Sequence, residues 1–381
     1  MAFSRITNID LATVYKSLHH ASGNGVSAEQ YLCDPNSGVI DVRSPSEFAH
    51  GHIPGAKSVP LFTDEERSLV GTTYKQQGQE PAITLGLQIA ERKLADLSAD
   101  LEVAIGEIRE QFGIQSRPLI HCWRGGMRSR SMKWLGEQLG YQLNLLDGGY
   151  KAFRRAGVSH FKRAKRIVVL AGPTGSGKTR ILEQIANRGQ RVIDLEALAN
   201  HRGSVFGGYV DRPQPSTEQF QNDLLMQWVS SCDDQVVWFE GESQVIGRVV
   251  IPEELWQQLT VAPMIFVDAD VEKRVRFLLE DYDSRDLESM INAATRIKKR
   301  LGGLRYQESV DSAKKGDWEG FCRVMLEYYD KYYLKALDKR GPEVLRKVKL
   351  EKPGRLEADV DIIALAETVC EPPKMPRQHQ D

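Results

Sequence analysis

The segment GPTGSGKT, residues 172–179, constrains the fold of this 381-residue chain more than any other feature. It matches G-x-x-x-x-G-K-[ST] and lies between the apolar stretch RIVVLAG and the helical stretch KTRILEQIAN. A glycine-rich turn between a strand and a helix directs backbone N–H groups at an anion, and the helix N-terminus adds partial positive charge. The pattern therefore predicts a phosphate-binding loop formed by Gly172, Thr174, Gly175, Ser176, Gly177, Lys178 and Thr179.

Side chains around this loop suggest a role for magnesium. Lys178 can reach a terminal phosphate and Thr179 can hold the ion. An ATPase also has an apolar strand that ends in a carboxylate. The stretch VVWFEGES ends in such a position and offers Glu240 and Glu242, and the end of another strand offers a second acidic pair, Asp194 and Glu196. Glu240 and Asp194 are the candidates for magnesium binding or polar support. Surface or capping roles explain these acids equally well, so the motif predicts a phosphate-bearing ligand and leaves ATP hydrolysis open.

Short apolar runs alternate with helical segments in both halves of the chain, which predicts two α/β domains. The predicted strands are 38–43, 58–62, 117–122 and 142–149, then 166–172, 191–198, 235–243 and 263–270, the last four in a parallel sheet. The sequence after Val271 is helical and charged. We expect a first domain over 1–157, a second with a helical extension over 158–350, and a partly disordered C-terminal segment over 351–381.

An insert at 63–116 separates the second and third predicted strands. Residues 85–113 have the apolar spacing of one long helix or two shorter ones, closed by Gly113. The preceding stretch, 72–86, is polar and contains glycine, which favours a solvated connector.

Composition sets only broad limits on the partners. Lysine and arginine total 51 against 52 acidic residues, so only local clusters can favour a polyanion. Two such clusters are 151–166, with seven basic residues and no acid, and 296–305. The five cysteines form no C-x-x-C pair, the start lacks a secretory segment and the apolar runs are too short to cross a bilayer. We expect reduced thiols, a cytoplasmic location and no membrane partner.

The stretch LIHCWRGGMRSRS, residues 119–131, places Cys122 between a predicted strand and a predicted helix. A sharp turn there would bring backbone amides to the sulfur, and a helix N-terminus together with Arg124 or Arg128 would stabilise a thiolate. Cys122 is therefore predicted to be a nucleophile. A buried structural role suits the other cysteines better: Cys33, Cys232, Cys322 and Cys370.

The stretch DVRSPSEFAHGHIPGA, residues 41–56, resembles the signature of rhodanese-like domains, and HCWRGGMRS occupies the place of their active-site loop. In that family the cysteine carries a persulfide or a similar species. Five residues separate Cys122 from Arg128, which is also the phosphatase pattern H-C-x5-R-S and occurs on this fold in cell-cycle dual-specificity phosphatases. A rhodanese-fold phosphatase is therefore one alternative. Another is a P-loop kinase or ATPase that carries a non-catalytic rhodanese-like module.

The combination of these motifs with VGTTYKQQG, GGYKAFRR and LANHRGSVFG resembles the tRNA 2-selenouridine synthases across most of the chain. The resemblance implies an N-terminal rhodanese-like α/β domain followed by a P-loop NTPase-like α/β domain with a helical C-terminal part. It implies a transferase that replaces sulfur by selenium in wobble 2-thiouridine of tRNA, with selenophosphate as donor. It also implies an S-geranyl-2-thiouridine intermediate made from geranyl diphosphate.

The resemblance also assigns roles to residues. Cys122 would take selenium as a selenylated cysteine, and a loop wide enough for phosphate suits the tetrahedral body of selenophosphate. This predicted cradle comprises Arg124, Gly125, Gly126, Met127, Arg128 and Ser129. The phosphate-binding loop would take the diphosphate of the allylic donor.

Partners and cofactors follow from the same resemblance. The tRNA backbone is expected to contact Arg154, Arg155, Lys162 and Arg163, although a solvated helix face explains that basic cluster equally well. Selenophosphate and geranyl diphosphate enter as substrates, and selenophosphate synthetase is a candidate partner. We expect neither a tightly bound cofactor nor a structural metal.

Overall fold

The computed structural model describes residues 25–201, 213–231, 234–281, 287–337, 345–356 and 361–370. The chain divides into two compact units, Met1–His160 and Phe161–Asp381. Three predicted features lie wholly or partly outside the described residues: most of the motif LANHRGSVFG, Cys232, and residues 357–360 and 371–381 of the C-terminal segment that we expect to be partly disordered.

The first unit contains a sheet of four parallel strands in the order β2-β1-β3-β4. The strands are β1 Val39–Asp41, β2 Lys57–Ser58, β3 Leu119–His121 and β4 Asn144–Leu145. The helices are α1 Ala28–Cys33, α2 Pro45–His50, α3 Asp64–Gln77, α4 Gln79–Arg92, α5 Leu94–Phe112, α6 Met127–Gln138 and α7 Gly149–Phe161. Each strand lies within or next to its predicted segment, and all four are shorter than predicted.

The insert consists of three helices, so the prediction of a solvated connector over 72–86 is wrong. A capping box at Thr63 starts α3, in which the Thr63 hydroxyl accepts from the Glu66 amide at 3.2 Å. Gly78, at φ 94°, ends α3 and begins α4. The stretch contains five straight-chain polar residues, which have good helix propensity: Lys75, Gln76, Gln77, Gln79 and Glu80. Of the two alternatives for 85–113, the structure shows two helices, which join at Lys93.

A buried ion pair fixes the end of β1. The Arg43 guanidinium donates to both oxygens of Asp41 at 2.6–3.0 Å and to the Gly51 carbonyl at 2.7 Å. It also lies 3.9 Å from the ring centroid of Tyr150, and both charged side chains are almost completely buried. Burial alone would raise the pKa of Asp41, but the charges of His121 and Arg43 and the bonds from Arg43 outweigh it and lower the pKa.

The turn after β4 supports the loop that follows β3. Gly148 and Gly149 have φ values of 71° and 60°, and a Cβ at Gly149 would overlap the carbonyl of Cys122. The next two amides, of Tyr150 and Lys151, donate to the carbonyls of Cys122 and Trp123, each at 2.9 Å. The motif GGYKAFRR is therefore the backbone support of the cysteine loop.

The second unit contains five parallel strands in the order β11-β10-β5-β7-β6, as well as an antiparallel pair, β8 and β9. The strands are β5 Ile167–Ala171, β6 Arg191–Ile193, β7 Val237–Glu240, β8 Val245–Ile246, β9 Val249–Val250, β10 Met264–Asp268 and β11 Leu345–Lys349. The predicted parallel sheet is present. The edge strand β11 was not predicted, because LRKVK is short and basic, as edge strands often are.

Helices cover this sheet and continue into a charged helical region after β10. They are α8 Lys178–Asn187, α9 Leu195–Leu198, α10 Thr217–Val229, α11 Glu253–Val261, α12 Val271–Asp281, α13 Leu287–Arg296, α14 Lys298–Leu301, α15 Gly303–Lys314, α16 Trp318–Leu337 and α17 Ile362–Val369. The helices after β10 have a hydrophobic core of their own, centred on Phe321 and Met325. None of the helices described is long and apolar enough to span a bilayer.

The buried pair generates a stability prediction. Asp41→Asn leaves the Arg43 charge buried without its partner, so the free energy of unfolding should fall by about 3–5 kcal/mol in chemical denaturation. The pKa of Asp41 is lowered on folding, so its contribution is complete above the ordinary value of 3.8 and is lost as pH falls through the folded value. The difference in the free energy of unfolding between wild type and Asp41→Asn should therefore become smaller at acidic pH.

Glu137→Gln is the matched control, because it breaks an exposed i,i+4 pair with Lys133 in the same unit. We expect that change to lower the free energy of unfolding by about 0.5 kcal/mol or less. Equal losses in the two variants would contradict a special role for the buried pair.

Candidate functional site

Cys122 lies directly after β3, at the head of a loop that ends where α6 begins. Its Sγ is 3.3 Å from Ser129 Oγ, and that hydroxyl also donates to the Gly126 carbonyl at 3.0 Å. While it donates to Gly126, the Ser129 hydroxyl can accept a bond from the thiol; it can donate to a thiolate only if its hydrogen turns away from the Gly126 carbonyl. Gly125, at φ 65°, packs so closely on the backbone of Leu146 and Gly148 that a side chain there would be strained and crowded.

The first turn of α6 faces this loop with amides that have no acceptor within the helix. The Arg130 amide makes the first backbone bond, to the Gly126 carbonyl at 3.2 Å. The amides of Met127, Arg128 and Ser129 precede it and are left over, as at any helix start. The positive end of the helix is therefore next to the Cys122 sulfur, which suits a thiolate or a bound anion.

Arg128 is held by an acid that the sequence analysis did not select. Its Nη1 donates to Glu47 Oε2 at 2.7 Å, and Glu47 also accepts from the Ser44 amide at 3.2 Å. Burial would lower the pKa of Arg128, but the bond to Glu47 and the charge of Cys122 raise it overall. Glu47 belongs to the motif DVRSPSEF, and only the folded chain shows that the motif contacts the cysteine loop.

Burial does not distinguish Cys122 from the other cysteines. Cys122 is only 3% exposed, and Cys322 and Cys370 are buried as well. Cys33 is exposed, so it is not the buried structural cysteine that we expected. Burial raises the pKa of Cys370 to about 11, and its thiol donates to the Ile167 carbonyl at 3.0 Å. Cys122 differs from these cysteines because it lies against the N-terminus of a helix. Cys232, for which we also expect a buried structural role, lies outside the described residues.

The phosphate-binding loop connects β5 to α8 in the second unit. Gly175 and Gly177 have φ values of 81° and 76°, which glycine adopts without strain. Lys178 Nζ donates to the Gly172 carbonyl at 3.1 Å, so its ammonium lies back over the loop. Ser176 Oγ is buried and has no hydrogen-bond partner among the described residues. An oxygen of a bound phosphate would supply the missing partner.

Three carboxylates lie beside the loop, and all three belong to the two acidic pairs named from the sequence. Glu196, Glu240 and Glu242 have oxygens within 4.8 Å of one another. Glu240 also accepts from Thr179 Oγ1 at 3.4 Å and lies 3.6 Å from Lys178 Nζ. The carboxylate of Asp194 instead caps α9, where it accepts from the Ala197 amide at 2.9 Å.

The negative charge of these three carboxylates is only partly balanced by the ammonium of Lys178. Burial raises the pKa of Glu240 to about 7, with Lys178 opposing the rise and Glu196 and Asp194 adding to it. Burial raises the pKa of Glu242 well above its ordinary value, and the charges of Glu196 and Glu240 add to the rise. Oxygen ligands that repel one another in this way suit a divalent cation, so these residues could hold magnesium.

Distant residues hold the phosphate-binding loop from outside. Arg274 is almost completely buried, pairs with both oxygens of Asp330 at 2.6–2.9 Å and donates to the Thr174 carbonyl at 3.0 Å. The Gly354 amide donates to the Ser176 carbonyl at 3.1 Å. No signal in the sequence points to these three residues, Arg274, Asp330 and Gly354. Each is about 100 residues or more from the loop in the chain, and none belongs to a motif.

The basic cluster at 151–166 is divided between exposed and structural positions. Its predicted tRNA contacts are Arg155, Lys162 and Arg163, which are exposed, and Arg154, which is half-buried. Lys165 instead donates to the carbonyls of Trp228 and Ser231 at 2.6–2.8 Å. The role of the four cations in tRNA binding remains a prediction.

Comparison with known proteins agrees with this architecture. A family model described as a rhodanese-like domain matches residues 27–156, and one described as the tRNA 2-selenouridine synthase AAA domain matches residues 165–352. The predicted fold class, a rhodanese-like domain followed by a P-loop domain, is confirmed.

Several curated relatives are similar along most of their length, and each is named tRNA 2-selenouridine synthase. The protein of Sulfurovum sp. (strain NBC37-1) is 34% identical over 346 residues, which cover 81% of this chain and 91% of the relative. The Marinobacter nauticus protein is 35% identical over 343 residues, with coverages of 81% and 90%. The Nitrosomonas europaea protein is 33% identical over 353 residues, with coverages of 79% and 89%. The chain belongs to the family of tRNA 2-selenouridine synthases.

Proposed function

We propose that this chain replaces the sulfur of wobble 2-thiouridine in tRNA by selenium, with selenophosphate as the donor. The observation that carries the proposal is the position of Cys122, whose sulfur lies 3.3 Å from the hydroxyl of Ser129 in the first turn of α6. The names of the relatives support a tRNA substrate and a selenouridine product. The donor is the one that the family resemblance implies, and a loop that suits a small tetrahedral anion supports it.

The cradle of the first unit would hold the phosphate-like body of selenophosphate. Amides at the start of α6 offer hydrogen bonds, and Arg128 offers a guanidinium that can bind two oxygens at once. Glu47 holds Arg128 at 2.7 Å, so an arriving dianion competes with that carboxylate for it.

The Cys122 thiolate could attack either of two atoms of selenophosphate, phosphorus or selenium, and the two reactions give different products. If the thiolate attacks phosphorus, the P–Se bond breaks with its electron pair on selenium, which gives phosphocysteine and hydrogen selenide without oxidation or reduction. If it attacks selenium to form a selenylated cysteine, the pair remains on phosphorus and phosphite is the second product. We favour attack at phosphorus, because the cradle suits that atom and no oxidant is required. Mass spectrometry of the protein after one turnover without RNA distinguishes the two products.

The phosphate-binding loop would hold the diphosphate of geranyl diphosphate. The sulfur of 2-thiouridine attacks the allylic carbon, the C–O bond breaks, and diphosphate leaves with the electron pair. Magnesium, held by Thr179 and the carboxylates around Glu240, would neutralise the departing diphosphate. Alkylation makes the C2 sulfur a better leaving group, so hydrogen selenide can add at C2 and displace geranylthiolate.

Cys122→Ala tests the selenium step. The variant should reduce conversion of 2-thiouridine to 2-selenouridine in substrate RNA by roughly 1,000-fold or more, because the nucleophile is lost. Nucleoside mass spectrometry measures the product, and Cys33→Ala, which changes an exposed cysteine of the same unit, should retain full activity. Full activity of the Cys122 variant would remove its assigned role. Phosphate release from an aryl phosphate without selenation would favour a phosphatase, and ATP turnover independent of Cys122 would favour a kinase or ATPase.

Lys178→Ala tests the ligand of the phosphate-binding loop. The change removes the ammonium of the loop and leaves its backbone cradle, so the Kd for geranyl diphosphate should rise about 10- to 100-fold in calorimetry. The control is Lys315→Ala, which removes an exposed cation of the same unit. An unchanged Kd in the Lys178 variant would show that the loop serves another ligand.

Salt dependence tests whether the basic cluster binds the tRNA backbone. The variant replaces four of its cations by alanine: Arg154, Arg155, Lys162 and Arg163. Each lost phosphate contact lowers the slope of log affinity against log salt by roughly 0.7–0.9, so the full change is about 3. A matched variant replaces four exposed cations elsewhere: Lys75, Arg92, Lys314 and Lys315. Equal slopes and affinities for wild type and the cluster variant would exclude the cluster from the RNA-binding surface.

A further inference from the structure

Trp123 follows the nucleophile directly and remains 37% exposed. Trp228 and Trp238, by contrast, are completely buried. An indole has a large flat apolar face, and this one lies in the loop of the predicted nucleophile, where a substrate group could cover it. Arg124, the next residue, is also exposed.

The indole lies on a rigid support. Its ring centroid is 5.7 Å from that of Tyr150, which is completely buried. Tyr150 in turn contacts the Arg43 guanidinium at 3.9 Å and stacks on Phe153 at 6.0 Å. The Trp123 carbonyl is held by the Lys151 amide at 2.9 Å. Because the platform is already ordered, a ligand that stacks on it loses little affinity to ordering the protein.

An exposed aromatic ring beside an arginine is the usual means by which proteins hold an unpaired base of RNA. Stacking requires only the flat face of a base, and the arginine can contact the adjoining phosphate. Trp123 belongs to the same loop as Cys122, so a base that stacks on Trp123 would lie at the loop that carries the Cys122 sulfur. The subsite rests on the proposed function in one respect, namely that the base it holds is the uracil to be modified.

We propose that the exposed face of Trp123 is a nucleobase-binding subsite, which stacks on the wobble uracil and holds C2 of that base at the Cys122 loop. The chemistry recognised is the flat face of an unpaired base in a loop of RNA. Arg124 adds attraction for the phosphate next to that base.

An RNA lacking one base tests the subsite directly. The probes are an anticodon stem-loop with 2-thiouridine at the wobble position and the same stem-loop with an abasic nucleotide there. Wild type should bind the first about 5- to 100-fold more tightly, the range for one base on one aromatic ring. Trp123→Leu should abolish this preference and leave affinity for the abasic RNA unchanged, whereas Trp123→Phe should retain most of it. Tyr74→Leu, which removes an aromatic ring that is 58% exposed on α3, should behave as wild type.

The remaining outcomes distinguish this inference from the proposed function. Equal binding of both RNAs by wild type, or a preference that survives in Trp123→Leu, overturns the subsite. A third probe is the same stem-loop with S-geranyl-2-thiouridine at the wobble position. If Trp123→Leu weakens binding of that RNA alone, the subsite is overturned too, because the geranyl chain would then be the group that contacts Trp123. If wild type shows the preference but makes no 2-selenouridine, the subsite stands and the proposed function fails.

Discussion

A helix that begins directly after a parallel strand leaves its first amides at the carboxyl edge of the sheet without backbone acceptors, and both units of this protein depend on that constraint. In the first unit α6 follows the cysteine loop, and in the second α8 follows the phosphate-binding loop. The two loops thus attract anions by the same electrostatic means. They differ in the side chain placed at the edge, which is the thiol of Cys122 in one and the ammonium of Lys178 in the other.

The N-termini of these two helices can bind an anion only if the loops before them keep their conformation, and tertiary contacts hold that conformation. Gly149 packs against the backbone of the cysteine loop, and the amide of Tyr150 donates to the Cys122 carbonyl. Glu47 holds Arg128 by accepting a hydrogen bond from its guanidinium. Arg274 plays the corresponding role for the phosphate-binding loop through the Thr174 carbonyl. Preorganised donors need little rearrangement when an anion binds, so these supports contribute to affinity without touching the ligand.

The sequence contained the two loops and the strands that lead into them, because each motif is local and each strand has a continuous apolar run. It could not reveal Glu47 as the partner of Arg128, since 81 residues separate them. It suggested Asp194 as a magnesium ligand, whereas the fold uses that carboxylate as a helix cap and brings Glu196 and Glu242 to Glu240 instead. The polar stretch over 72–86 was misjudged because a polar helix and a polar connector have the same composition.

The contact between Gly354 and Ser176 has a consequence for biosynthesis. The edge strand β11 and Gly354 come late in the chain, yet the backbone of Gly354 bonds to the centre of the phosphate-binding loop. Domains generally fold as units during synthesis, with the N-terminal one first. The cysteine loop, complete by Lys151, can therefore form while the ribosome is still translating the second unit. The phosphate-binding loop acquires its final support only after nearly all of the second unit has left the ribosome.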